Sequence, residues 1–136
     1  MSLQTWKEEF YPTEASSPEA QSSPIEHSLR KWRGLTKENL DKHGLKKAVN
    51  TNYVHDSNVG IKINGDSCSL CVNCTKKKDI GWAWWEFLDC QSCPITKYND
   101  GVDCIAQYDH WFDEADPNPM IALLDHTLSA AKGANS

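Results

Sequence analysis

Residues 66–104 read DSCSLCVNCTKKKDIGWAWWEFLDCQSCPITKYNDGVDC, and they hold all six cysteines and three of the six tryptophans of a 136-residue chain. Cys68-x2-Cys71 and Cys90-x2-Cys93 lie eighteen residues apart, within the spacing of a four-thiolate zinc site. Two thiolates three residues apart reach one tetrahedral ion at about 2.3 Å, and a second such pair closes its shell. A closed shell has no position for a reacting water, so the expected role is structural, and metal binding then contributes directly to folding free energy. Cys68, Cys71, Cys90 and Cys93 are accordingly the candidate ligands of a Zn2+ ion.

Two cysteines are left over. Cys74 extends the first pair to CSLCVNC, and Cys104 follows Cys93 at a distance. Cys104 or Cys74 are alternative ligands, and Cys68, Cys71, Cys93 and Cys104 make a second possible shell. The same spacing permits an iron–sulfur cluster, and an even cysteine count permits three disulfides in an oxidising compartment. Cys90-Gln91-Ser92-Cys93-Pro94 superficially offers a redox motif, but no βαβ pattern surrounds it. The five histidines, His27, His43, His55, His110 and His126, are scattered and receive no assignment.

Between the pairs lies GWAWWEF. Trp82, Trp84 and Trp85, with Lys76, Lys77 and Lys78, form a candidate stacking platform for bases. The plainer expectation is that two of the rings wrap the metal shell and fill a scant core, with at least one ring exposed to a partner. Upstream, SSPIEHSLRKWRG carries a capping-box pattern at Ser23–Glu26, then Ile25, Leu29 and Trp32 at helical spacing, with Gly34 as the stop. Thr36 caps a second helix carrying Leu40, which Gly44 ends. The two make a helical hairpin. VGIKINGD alternates as a strand with Val59, Ile61 and Ile63 on one face, and Asn64-Gly65 turns it toward Cys68, with Asp66 as a turn former. Near the end, Pro119 starts a helix striped by Met120, Ile121, Leu123, Leu124, Thr127 and Leu128, and Gly133 closes it.

Residues 1–23 are expected as a flexible arm and linker. TEASSPEAQSS lacks the apolar residues that offset chain entropy, while Trp6, Phe10 and Tyr11 before it are expected to dock on the body. Residues 24–136 then form a single helical, cysteine-rich domain. Charge is distributed unevenly over a net of −5. Arg30, Lys31, Arg33, Lys37, Lys42, Lys46 and Lys47 face only Glu38 and Asp41 within their segment, and residues 100–116 are acidic without a Lys or Arg. Arg30, Lys31 and Arg33 are candidate nucleic-acid contacts, although internal complementarity is the preferred explanation. A secretory signal and any long apolar run are absent from the sequence, which points to a cytoplasmic protein with reduced thiols and no membrane partner. No nucleophile–base pair, phosphate-cradling loop or paired catalytic carboxylates emerge, so no enzyme is expected.

WKEEFYP, EHSLRKWRGLTKENLDKHGL, DSCSLC, CQSCPI and PMIALLDHTL, taken together, resemble a family of small uncharacterised proteins of bacteriophages and prophage-bearing bacteria. The resemblance covers most of the chain. It implies that Cys68, Cys71, Cys90, Cys93 and Cys104 are the family's recurring cysteines, that Cys74 and the Trp-rich insert are additions, and that a bacterial host cytoplasm is the setting. The combined expectation is a small α+β, zinc-knuckle-like domain, metal-stabilised and non-enzymatic, with a helical hairpin, short strands and a C-terminal helix. It would act by binding a host or phage macromolecule, most simply a protein, for example to inhibit a defence or replication component. Nucleic-acid binding and iron–sulfur redox chemistry are the alternatives.

Overall fold

Helix-forming local signals and buried stripes decide most of the architecture of the computed structural model, which describes residues 2–48, 50–64, 68–88 and 93–134. Within residues 1–23, expected as an arm, stand two helices, α1 (Leu3–Phe10) and α2 (Pro18–Ser22). Ser2 and Thr5 cap α1 reciprocally, and Ser17 caps α2 with Pro18 as its first residue. Leu3, Trp6, Tyr11, Ala15 and Ala20 are all buried. The composition argument failed here because docking against the body supplies apolar contact that residues 13–23 lack by themselves. The expectation that Trp6 and Tyr11 pack inward agrees with this placement.

The helical hairpin follows as α3 (Pro24–Arg33) and α4 (Lys37–Lys42). Pro24 opens α3 and the Thr36 hydroxyl accepts the Asn39 amide at the start of α4. Ser23, however, makes no side-chain cap. It also ends α2, and at φ −144° and ψ 64° its backbone serves the corner between the two helices. Gly44, at φ 70°, turns the chain out of α4 in a conformation that side chains with a Cβ rarely adopt. Gly34 ends α3 for a different reason: a Cβ there would lie 2.5 Å from Cγ of Phe10. Gly34→Ala is therefore expected to destabilise the chain by about 1–3 kcal/mol through overpacking. Urea unfolding would show a lower midpoint with an unchanged slope.

A three-stranded antiparallel sheet in the order β1 (Lys46–Lys47), β2 (Tyr53–His55), β3 (Gly60–Lys62) comes next. Val54 stands opposite Ile61. Val54 and Ile63 are completely buried, whereas Val59 is exposed, so the expected alternation holds for only part of its run. The expected turn at Asn64-Gly65 falls partly outside the described residues. The β2–β3 connection is held by Asp56, whose carboxylate accepts the amides of Asn58 (2.7 Å), Val59 (2.9 Å) and, from the start of α1, Leu3 (2.9 Å). These three donors hold the Asp56 carboxyl at about 2. Because its pKa is depressed in the folded chain, the unfolded chain binds the extra proton. Stability from this carboxylate is present above about 4 and is lost as pH falls toward 2. Urea midpoints measured down through that window are expected to fall more for the wild type than for Asp56→Asn, and parallel curves would refute the assignment.

Beyond the sheet, α5 (Ser69–Asn73) leads into a second antiparallel pair, β4 (Thr75–Asp79) and β5 (Trp84–Leu88), in which Thr75 pairs with Leu88 and Asp79 with Trp84. Then come α6 (Pro94–Tyr98), α7 (Ile105–Glu114) and α8 (Asn118–Ala134). The stripe of α8 agrees with expectation, with Met120, Leu123, Leu124 and Thr127 buried against α3, α6 and α7, but Gly133 lies inside the helix rather than beyond it. Trp32, Tyr108 and Trp111 meet edge-on or tilted at 5.2–6.3 Å between ring centres and form the aromatic centre of the core. The fold is thus a small mixed α/β domain, and no helix of the described residues is long and apolar enough to cross a membrane.

Candidate metal centre

The first cysteine pair sits on α5, which is bolted to the corner between α2 and α3. The Ser69 hydroxyl donates to the Pro24 carbonyl (2.6 Å), and Gln21 Nε2 donates to both the Ser69 (3.1 Å) and Ala15 (2.7 Å) carbonyls. Cys68 is the N-cap of α5, Cys93 the N-cap of α6 and Cys104 the N-cap of α7. Three helix starts therefore bring sulfurs from distant parts of the sequence toward one region. The backbone amide of Cys71 donates to the Cys68 sulfur, and the amide of Ile95 donates to the Cys93 sulfur. Each knuckle thus presents a sulfur together with an amide from its own turn.

The thiols are not equivalent. Cys68 is pulled well below the usual thiol range, first by a hydrogen bond from the Cys71 thiol, with help from Lys31 and from Ser28, whose hydroxyl is 3.7 Å away. Cys71 is pushed up by the same bond, so the two thiols titrate as a pair. Burial pushes the Cys93 thiol up to about 12. Cys74 is 2% exposed and adjoins Cys93 electrostatically. None of the described cysteines is bridged by a disulfide. Cys90 lies outside the described residues. Among the described residues no three His, Cys, Asp or Glu side chains converge closely enough to hold an ion by themselves.

Lys31 is the component that sequence reasoning misplaced. Expected on a surface facing nucleic acid, it is 1% exposed. It lines a cavity of about 300 Å3 with Cys68, Cys71, Cys104, Tyr108 and Met120. Burial lowers its pKa, and Cys68, Cys71 and Cys104 oppose that shift. The periodicity of α3 carried the signal: Ser28, Lys31, Trp32 and Leu35 recur at the spacing of one buried face. A lysine on such a face needs an anion. The sequence placed that anion nearly forty residues away, where no local pattern could connect it.

Most other cations of this segment meet protein groups, while Lys46 is exposed. Arg33 pairs with Asp125 (2.9 Å), Lys37 with Asp41 (2.7 Å) and Lys42 with Glu9 (2.8 Å). Arg30 donates to the Glu9 carbonyl and Lys47 to the Phe112 carbonyl. Internal complementarity accounts for much of the basic stretch: carboxylates of α1, α4 and α8 pair with Lys42, Lys37 and Arg33, and Asp113 of residues 100–116 acts on Lys47. Exposed pairs of this kind contribute at most about 1 kcal/mol each.

The histidines stand apart from the thiols. His43 is buried between Thr5 Oγ1 and Glu9 Oε2, 2.9 Å from each, and His110 meets Asp116 at 3.2 Å. His27, His55 and His126 contact the carbonyls of Thr13, Asp56 and Tyr98. The tryptophan insert also departs from expectation. Trp82 is 85% and Trp84 60% exposed, so neither wraps the centre, and nothing is described of the Trp85 side chain. No family model matches the chain, and no curated protein or solved structure matches it.

Proposed function

We propose that the chain is a thiolate metal-binding protein in which Cys68, Cys71, Cys90 and Cys93, with Cys104 or Cys74 as alternative ligands, draw together around a zinc ion that supports the fold. The observation that carries this reading is the gathering of Cys68, Cys71 and Cys104 around one cavity with the buried Lys31, each knuckle opening a helix at Cys68 or Cys93. Amide donors and a buried cation both favour the charged form of a sulfur. Four thiolates around a divalent ion carry a net charge of −2, and Lys31 offsets part of it.

Bound zinc supplies a cross-link, and the residues around it do the rest. Ser28 lies 3.7 Å from the Cys68 sulfur, and Trp32, Ile95 and Met120 line the cavity beside it. With its thiols taken up by the metal, we read the protein as non-enzymatic, acting by contact with a host or phage macromolecule. Elemental analysis of the purified chain tests the metal. One zinc per chain in a colourless protein is expected. Several irons with visible absorption would transfer the same thiolates to an iron–sulfur cluster. A metal-free chain that is fully folded and cooperative would sink the reading.

A further inference from the structure

We propose that the tip of the β4–β5 hairpin is a docking site for single-stranded nucleic acid. The inference rests on the reading of this chain as a binding module and names the partner; it does not depend on which metal fills the cysteine site. The tip is a built turn. Asp79 Oδ1 accepts the Gly81 amide at 2.8 Å, the Ile80 amide donates to the Ala83 carbonyl at 3.1 Å, and Gly81 turns at φ 92°. This turn holds Ile80, Trp82 and Trp84 in solvent at 42%, 85% and 60% exposure. An ordered tip loses little entropy when a flat group stacks on its rings.

Area and charge choose the occupant. At those exposures the two rings and Ile80 offer on the order of 400 Å2 of surface, half of the roughly 800 Å2 that each partner contributes to an ordinary protein interface. One or two indoles, by contrast, are enough to stack bases, as in other single-strand binders. Strand β4 carries Lys76, Lys77 and Lys78, and Lys78 is exposed beside the tip. Residues 75–88 are net +1 (three lysines against Asp79 and Glu86) within a chain of −5, which leaves −6 on the body. A polyanion is therefore attracted to the hairpin and repelled elsewhere. In the Arg30–Lys47 stretch Lys31 is buried and Arg33, Lys37 and Lys42 are paired with carboxylates.

Fluorescence anisotropy of labelled single-stranded 20-mers, titrated with the full metal-loaded chain, tests the proposal. Binding at low salt is expected to weaken with a log–log salt slope of about −2, since each phosphate contact to a single strand contributes about −0.7. Trp82→Ala and Trp84→Ala should each weaken it roughly 5- to 150-fold while leaving zinc content and the circular dichroism spectrum unchanged. Three results would overturn the proposal: no binding at low salt, binding indifferent to both substitutions, or capture by anionic lipid vesicles without oligonucleotide binding. Any of these in a folded, zinc-loaded chain rejects the docking site and leaves the metal centre standing, whereas a metal-free chain that binds oligonucleotide does the reverse.

Discussion

Cys68→Ser is expected to abolish zinc retention and to unfold the chain. Cys68 is the N-cap of α5 and the sulfur on which a backbone amide, a thiol, a serine and Lys31 converge. Structural zinc contributes on the order of 10–16 kcal/mol to small domains, as much as the whole stability of a typical domain, about 5–15 kcal/mol. No repacking of a chain this small replaces that amount. Cys71→Ser and Cys93→Ser should behave alike, and a strong chelator should reproduce the effect on the wild type. Cys74→Ser, at a buried site next to Cys93, should lower stability without releasing the metal. Of Cys90→Ser and Cys104→Ser, the variant that loses zinc identifies the fourth ligand. Zinc content and near-ultraviolet circular dichroism read both properties together. A Cys68→Ser protein with native dispersion and an unshifted urea midpoint would refute the centre.

Trp6→Ala should cost about 3–5 kcal/mol, the range for removing a fully buried tryptophan. Its side chain is 0% exposed, and its indole Nε1 donates to the Gly34 carbonyl at 2.8 Å, where α3 ends. The variant leaves a cavity between α1 and α3 and a carbonyl without its donor, and it weakens the contact with Phe10, whose ring lies 6.1 Å away. Trp6→Phe, which keeps most of the volume, should recover much of the loss and leave mainly the hydrogen-bond deficit, about 1 kcal/mol. Equilibrium unfolding in urea separates the three proteins. If Trp6→Ala matched the wild type, α1 would be an appendage, as the low apolar content of the following segment suggested, rather than a structural part of the body.

That contrast marks where sequence reasoning reached its limit. Thr36 as a cap, Pro24 as a first helical residue, Gly44 as a stop and the α8 stripe were all legible, because each depends on a few consecutive backbone units. The helix α7 escaped notice although Ile105, Tyr108, Trp111 and Phe112 recur at its period; the acidic residues between them drew the reading to charge. Residues 13–23 were read as a linker because their own apolar content is small, yet Ala15 and Ala20 become buried once α1 and α3 stand on either side. Asp56 gave no signal at all, since two of its three donors lie in its own turn and the third more than fifty residues earlier.

The opening cysteine stretch divides in the same way. Its sequence by itself determined that Cys68 and Cys71 would lie close together, because the reach between sulfurs three residues apart is a matter of local covalent geometry. Only the tertiary structure decided that Lys31 would be buried against those sulfurs, that Lys42, Lys37 and Arg33 would be answered by Glu9, Asp41 and Asp125, and that Trp82 and Trp84 would point into solvent. Burial and charge pairing are properties of surfaces brought together by the whole chain. No run of neighbouring residues contains them.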